Sequence, residues 1–491
     1  MKTYQDLLAC RDNEAAKMAF VISAIQEFKA NTLYTTALNA EQYYRGLNPT
    51  IMHYQKILYD LRGAAHTDKW SPNNKIASNF FNFAITQENQ YLLGNGAIFG
   101  KGDTKEKLNK NPDKQYDFDF QLQEAGKKAL IGGVSFGFWN LDHLEVFSLL
   151  EFVPLYDEEN GALMAGIRWW QVASDKPLRA TLYEIDGYTD YIKKEAENIK
   201  IMNIKRPYKI KIRSSIIDGV EIYDGDNYPT FPIVPLWGND KKQSELTGRQ
   251  GTLDAFDLLN SNLVNNVDEG NYIYWAITNC GGMDDIDDQR FIEKMKTLHV
   301  AHVDGDGTGG AKVEAHTIEA PIDSSATAID TLKTRLYENF MCLDVNSLSA
   351  ANKTATEIRA AYQTLDNKVD MYEFCVLDFI RKILQLAEIE DDVSFKRSKI
   401  INQNEEMDML LSAAEYLDEE TITEQVCYIL GLQDQIKEIK KRKKKQESER
   451  YETEKNILDN GQGEEDIQQN QGSEEIIEEQ VIEDEKSNKE E

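Results

Sequence analysis

The chain has little with which to build a cross-linked or metal-stapled fold. Its five cysteines, Cys10, Cys280, Cys342, Cys375 and Cys427, are odd in number, scattered and never in CxxC spacing. They read as free thiols of a protein made in a reducing cytoplasm, not as a disulfide frame or a zinc site. Apolar runs are short: none approaches the roughly 18 residues that a membrane span requires. The start, MKTYQDLLACRDNEAAK, is charged and lacks the apolar stretch of a signal peptide, so no membrane role is expected. Positive charge is scarce as well, with 55 Lys and Arg against 85 Asp and Glu and a formal net charge of −30. That argues against a tight, sequence-reading nucleic-acid binder, which usually shows a basic face. It leaves open a protein that nucleic acid passes without sticking. GxSxG, HExxH and a Cys–His set are all missing, and nothing in the chain looks catalytic.

What is present is length and apolar material. The 491 residues suffice for two to four domains with a sizeable core, and 41% apolar and 10% aromatic content predict that most of the chain folds. Residues 1–62 have helical texture, clearest in EAAKMAFVISAIQEF. In SPNNKIASNFFNFAITQENQYLLGNG, Pro72, Asn73 and Asn74 are helix-start signals, Ile76, Phe80 and Ala84 follow at four-residue steps, and Gly94 and Gly96 are stop signals. Residues 115–235 change to aromatic and β-branched segments separated by turn pieces such as DEENG and DGDNYP, the pattern of antiparallel strands.

Helix is predicted again for 244–268, with Leu253, Phe256, Leu259, Leu263 and Val267 as its apolar face. A compact insert follows: YIYWAITNC as strand, DDQRFIEKMK as short helix, LHVAHV as strand, a glycine turn, and AKVEAHTIEA as strand. The next helix carries Ile329, Leu332, Leu336 and Phe340 in step. Residues 344–354, DVNSLSAANKT, form a polar break. Beyond it Ala355, Ile358, Tyr362, Leu365, Val369, Tyr372, Val376, Phe379, Ile383 and Leu386 recur at three- and four-residue steps. This spacing predicts a helix of about 35 residues, roughly 50 Å long. Its neighbours Ala361, Phe374, Ile380 and Leu384 widen the apolar face, which favours packing against several elements over a coiled coil. One or two shorter helices are expected in 402–432. KEIKKRKKKQESER is strongly basic, and 451–491 is so acidic and poor in aromatics that a disordered or frayed tail is expected.

Four stretches invite a chemical reading. QYLLGNGAIFGKGDTKEKL, residues 90–108, looks like a phosphate-binding loop, but that loop needs GxxxxGK[ST] between strand and helix. Here Gly94 and Gly100 stand one residue too far apart, Gly102 occupies the place of the hydroxyl after Lys101, and the preceding segment reads as helix. The stretch is expected to be a helix end plus a flexible loop. HVDGDGTGGAKVE holds a GxGxxG at Gly305, Gly307 and Gly310, yet it leads into a strand where the dinucleotide fingerprint must open a helix. Asp304 and Asp306 begin like a calcium loop, but Ala315 replaces the bidentate acid, and strand alternation divides His299, His302 and Asp304. No metal and no cofactor are therefore expected. GGMDDIDDQR places Asp284, Asp285, Asp287 and Asp288 at the start of a short helix, where acids suit the dipole. With Arg290 they make a candidate docking patch. A two-metal nuclease site would need acids converging from separate elements, and none can be assembled.

The order of several segments resembles a known family. YYRGLNPTI, PNNKIASNFFNFAITQENQYLLGNG, ALIGGVSFGFWNLD and FPIVPLWGND…LDAFDLLNSNLVNNVDE look like the portal proteins of tailed bacteriophages, of the SPP1-like siphophage type. SLSAANKTATEIRAAYQTLDNKVDMYEF is similar to that family's tunnel loop and following helix, and DEETITEQVCYILGLQDQIKEI to its crown. The likeness spans roughly residues 30–440. One departure is that 344–354 lacks the glycine-serine-glycine run that often marks the loop.

The resemblance implies an α+β portal fold with long helices in a ring-shaped homo-oligomer. Its parts would be a β-rich wing at 25–235, stem helices at 236–268 and 321–343, a small α/β clip at 269–320, a tunnel loop at 344–354, a long wing helix at 355–394 and a crown at 395–450; an N-terminal helical arm at 1–24 precedes them, and the acidic tail at 451–491 follows outside the resemblance. It further implies a ring, usually of twelve subunits, at the portal vertex of the virion's capsid, assembled in the bacterial host cytoplasm. Double-stranded viral DNA would be packaged and ejected through its channel. Implied partners are the terminase motor, head–tail adaptors, and major capsid and scaffold proteins. Asn346, Ser347, Ser349, Asn352 and Lys353 would line the channel, and Asp284, Asp285, Asp287, Asp288 and Arg290 would dock partners. Competing readings are another phage structural protein, such as an adaptor or scaffold, and a nucleic-acid-processing enzyme.

Overall fold

The computed structural model describes residues 1–59, 63–69, 71–195, 197–217, 220–270, 273–278, 312–317, 322–345 and 355–398, with pieces of 407–446. The chain divides into two compact units, 1–398 and 399–491.

In the first unit four helices come first: α1 (Tyr4–Ala9), α2 (Glu14–Lys29), α3 (Thr32–Tyr44) and α4 (Pro49–Met52). Each start is fixed locally, because Thr3, Asn13, Asn31 and Asn48 accept hydrogen bonds from the first-turn amides through their side chains. A small hairpin, β1 (Ile57–Tyr59) with β2 (Ala65–Thr67), precedes α5 (Phe80–Leu93). Then come β3 (Ala97–Phe99), α6 (Thr104–Leu108) and α7 (Phe118–Gly132).

The β region holds two antiparallel sheets. One has the order β13 (Ile233–Trp237), β4 (Val134–Asn140), β5 (His143–Ser148). The other runs β10 (Lys200–Arg206), β9 (Gly187–Lys193), β8 (Leu178–Glu184), β7 (Leu163–Trp170), β6 (Phe152–Tyr156). A hairpin of β11 (Lys209–Ile217) and β12 (Val220–Asp226) stands beside them. Aromatic rings join the sheets: Phe136 meets Phe152 at 4.5 Å between centroids, and Phe138 meets Tyr183 at 5.2 Å. The expected antiparallel region is present, with one correction. Its first part, 118–132, is α7, started by the Asp117 cap and stopped by Gly133 at φ 90. Leu122, Ala125 and Ala129 repeat on its buried face.

The remaining elements are α8 (Gln250–Gly270), β14 (Ile273–Thr278), β15 (Lys312–Thr317), α9 (Ile322–Phe340), α10 (Ala355–Leu386) and β16 (Val393–Phe395). The two outer strands expected in the insert exist and pair antiparallel, Ile273 opposite Thr317 and Thr278 opposite Lys312. The expected short helix and middle strand, with His299, His302, Asp304, Asp306 and the three glycines, lie outside the described residues.

The long helix forms as the spacing predicts, at 32 residues. Tyr362, Leu365, Val369, Tyr372, Val376, Phe379, Ile380, Ile383 and Leu384 are buried against β13, α5, β16 and β4. Phe374 departs from the expected apolar face: it is 67% exposed, because the described neighbours of the helix lie on its other side. Midway along the helix, Arg397 pairs with Asp366 at 2.9 Å, with Glu373 at 2.7 Å and with Asp370, tying the segment after β16 to α10.

Residues 90–108 are more ordered than a helix end and loop. β3 pairs with β16, and the Lys101 amide, the Thr104 hydroxyl and the Lys101 ammonium meet Asp391 and the Glu390 carbonyl. Cys10, Cys342, Cys375 and Cys427 are unpaired thiols, and Cys280 lies outside the described residues. Among the described residues no helix is long and apolar enough to cross a membrane.

In the second unit α11 (Glu419–Ile429) faces the basic segment that ends at 446. Lys440, Lys443 and Lys444 pair with Glu424, Glu419 and Glu420 at 2.5, 2.6 and 2.7 Å. The acidic tail lies outside the described residues.

Candidate functional site

α8 and α9 pack against each other and, along the chain, flank the paired strands β14 and β15. Both lose burial as they approach them. Leu253 is buried in α8, whereas Val264 and Val267 are exposed; in α9, Leu336 and Phe340 are fully buried, whereas Ile322 is exposed. The apolar face expected for α8 is therefore only partly a core face, and its buried stripe is polar: Asp257, Ser261 and Asn265 are each at most 2% exposed.

That stripe has a partner in the segment before α5. Residues 72–79, expected to open that helix, form neither helix nor strand. The amides of Ser78, Ile76 and Asn74 donate to Asp257 Oδ1, Ser261 Oγ and Asn265 Oδ1 at 3.1, 3.0 and 2.6 Å. The match is metric: two extended residues advance about 6.6 Å and four helical residues about 6 Å. Alternate amides of the strap thus meet every fourth side chain of the helix. Asn48 donates to both Asp254 and Asp257, and Asn74 Nδ2 reaches Asp268 at 2.6 Å, extending the ladder at both ends. Burial pushes the Asp257 carboxyl upward, against the hydrogen bonds from Ser78 and Asn48.

Where α8 begins and α9 ends, three buried charges and one half-buried charge meet. Lys368 Nζ of α10 lies 2.6 Å from Glu88 of α5 and 3.0 Å from Glu245, and the half-buried Arg249, in the turn just before α8, lies 2.9 Å from Glu245. Two acids and two bases cancel, which buried charges require. Burial raises the Glu88 carboxyl to about 7, with the Lys368 charge opposing the rise. Burial works against ionisation of Glu245 too, but the Lys368 and Arg249 charges hold it below the usual carboxylate range. Burial also opposes the Lys368 charge, and Glu88 and Glu245 overcome it and raise its pKa. The Cys342 thiol beside the knot is pushed up to about 12 by burial.

The residues singled out in the sequence are not part of this description. Asn346, Ser347, Ser349, Asn352 and Lys353, and Asp284, Asp285, Asp287, Asp288 and Arg290, all lie outside the described residues. The charged knot was missed, although it left a signal. Glu88 falls in step with Phe81, Ala84, Ile85 and Leu92, and Lys368 with Leu365 and Tyr372, so each helix carries one charge on its apolar stripe.

Among the described residues, no group of three or more His, Cys, Asp and Glu side chains is placed to hold a metal. The fold is α+β: long helices carry two antiparallel sheets, and a pair of helices flanks, along the chain, two paired strands. The chain belongs to the phage portal protein family of the SPP1 Gp6-like type, whose model matches residues 29–449. It is similar to the portal protein of Bacillus phage SPP1, 23% identical over 342 residues, covering 65% of this chain and 63% of that protein. It is also similar to the portal protein of Clostridium phage phiCD119, 22% identical over 323 residues, covering 61% of this chain and 68% of that protein. The chain thus matches somewhat less than two thirds of the SPP1 protein's length. A chain in the neck of a native GTA particle, computed with C12 symmetry, is similar at 12% identity and a TM-score of 0.39, over 71% of this chain and 89% of that one. A likeness that distant carries no weight for function.

Proposed function

We propose that the chain is a portal subunit that assembles into a ring, of twelve copies, at one vertex of a phage head. Double-stranded DNA enters and leaves through its channel. The ring docks the terminase motor during packaging and head–tail adaptors afterwards, and it meets major capsid and scaffold proteins in the head. It is built in the host cytoplasm, resides in the virion, and carries no catalysis of its own. The observation that carries this reading is the family match over 29–449. Residues 25–235 and 355–394 would be the wing, α8 and α9 the stem, 269–320 the clip, 344–354 the channel loop and 395–450 the crown.

The exposed apolar side chains Val264, Val267 and Ile322 support a stem that is completed by neighbouring copies. A net charge of −30 supports a channel wall that does not hold phosphates. Native mass spectrometry and negative-stain imaging test the reading: rings with a central hole are expected, and only monomer and dimer across salt conditions would refute it. Because like-charged subunits repel, rings should loosen at low ionic strength.

A further inference from the structure

We propose that Gln87, Arg249 and Lys368 are positioning residues for the channel loop: together they fix the point at which the chain leaves α9 on its way to 344–354. The proposal rests on the reading of 344–354 as the channel loop, and separate variants distinguish the two.

An α-helix ends with four carbonyls that have no partner within it. At the end of α9 all four are answered. Tyr337 O accepts from the Cys342 amide at 3.0 Å and Glu338 O from the Met341 amide at 3.1 Å, as the chain turns back through Met341 at φ 54. The other two accept from cations far apart in the chain. Arg249 Nε, in the turn just before α8, donates to Asn339 O at 2.7 Å, and Lys368 Nζ of α10 donates to Phe340 O at 3.0 Å. Positive charge at a helix C-terminus is favourable, and these two charges are themselves fixed by Glu88 and Glu245.

Three residues beyond Phe340, the backbone is gripped again. Gln87 Nε2 of α5 donates to Leu343 O at 2.9 Å, and the Leu343 amide donates to Gln87 Oε1 at 2.8 Å. One side-chain amide thus treats Leu343 as a strand partner would, holding both of its polar groups. Phe340 and Leu343 are buried. Three parts of the chain far apart in sequence, α5, the turn that leads into α8, and α10, therefore converge on five residues, 339–343, directly before the segment that would face DNA. Ordinary helix capping requires none of this convergence, since the local turn already supplies two donors and water could supply the rest. Such a grip makes residue 343 a fixed base, so a load on the following segment passes into α5, α8 and α10 instead of unwinding α9.

Gln87→Met tests this, since it keeps the bulk and removes both hydrogen bonds to Leu343. Rings should assemble, the Leu343 amide should exchange hydrogen faster, and packaging or retention of full-length DNA should fall several-fold. Gln87→Glu keeps the acceptor for the Leu343 amide and should recover part of both losses. Gly137→Ala, which overpacks the core against Phe379, three turns along α10 from Lys368, serves as the stability control and should package normally at matched unfolding midpoint. Lys353→Glu reports on the channel loop itself. Normal packaging by Gln87→Met while Lys353→Glu is impaired would overturn the proposal and leave the channel reading standing. Normal packaging by both would overturn the channel reading and the proposal with it. If neither Gln87 variant forms rings, Gln87 is a folding residue and the proposal is likewise overturned.

Discussion

Glu88 of α5 and Lys368 of α10 meet at 2.6 Å with side chains only 2% and 9% exposed. The pair joins two helices 280 positions apart in the chain and stands beside a second pair, Glu245 and Arg249. Removing Lys368 alone leaves two buried carboxylates with one remaining base. Lys368→Met should therefore cost about 3–5 kcal/mol. Glu88→Leu combined with Lys368→Met leaves Glu245 and Arg249 balanced and should cost clearly less than the single change. Denaturant titration of the three proteins checks this ordering.

The Glu88 carboxyl has a second measurable consequence. Its folded-state pKa is raised to about 7 from 4.5, so it binds its proton more tightly in the folded chain. The stability it contributes is complete below pH 4.5 and is lost as pH rises through 7. Glu88→Gln cannot ionise. Its unfolding midpoint should improve relative to the parent as pH is raised from 5 to 8. A difference that stays flat over this window would show that Glu88 keeps an ordinary pKa.

The strap along α8 predicts a local effect. Asp257→Ala removes the acceptor for the Ser78 amide and one acceptor for Asn48. Each buried donor left unanswered costs about 1–3 kcal/mol. Hydrogen exchange at Ser78 should accelerate strongly, with a smaller change at Ile76, whose acceptor Ser261 remains. Equal acceleration along 72–79 would mean that the strap peels off as one unit.

Gly137 of β4 lies under the ring of Phe379 of α10. A Cβ on Gly137 would stand 2.4 Å from Phe379 Cζ, so Gly137→Ala should destabilise the chain by about 1–3 kcal/mol through overpacking. Phe379→Leu, destabilising alone, should partly relieve Gly137→Ala when the two are combined. A double-mutant cycle measures the coupling, and strict additivity would contradict the contact.

For the proposed clip, changing Asp284, Asp285, Asp287 and Asp288 to asparagine should leave rings intact and weaken motor docking. Unchanged packaging and head completion would assign these acids to helix-end solvation alone.

Much of the fold was legible because local periodicity is a local property. The apolar repeat of 355–386 specifies a helix whatever it packs against, and the strands between 134 and 237 are announced by β-branched and aromatic runs between turns. The order of the motifs likewise placed the chain in its family. What the sequence could not settle was which of two local preferences wins where a tertiary partner intervenes. Pro72, Asn73 and Asn74 are helix-start signals, yet 72–79 forms no helix, because α8 offers acceptors that take the amides of Asn74, Ile76 and Ser78. Phe374 lies two residues from both Tyr372 and Val376, on the opposite side of α10 from the buried stripe, and it faces outward because the described elements that pack on α10 lie on that stripe. Glu88 and Lys368 are charges that helix propensity tolerates anywhere. Only the packing of α5 against α10 brings them within 2.6 Å and makes each the condition for burying the other, since a charge leaves water at tolerable cost only when an opposite charge is already in place.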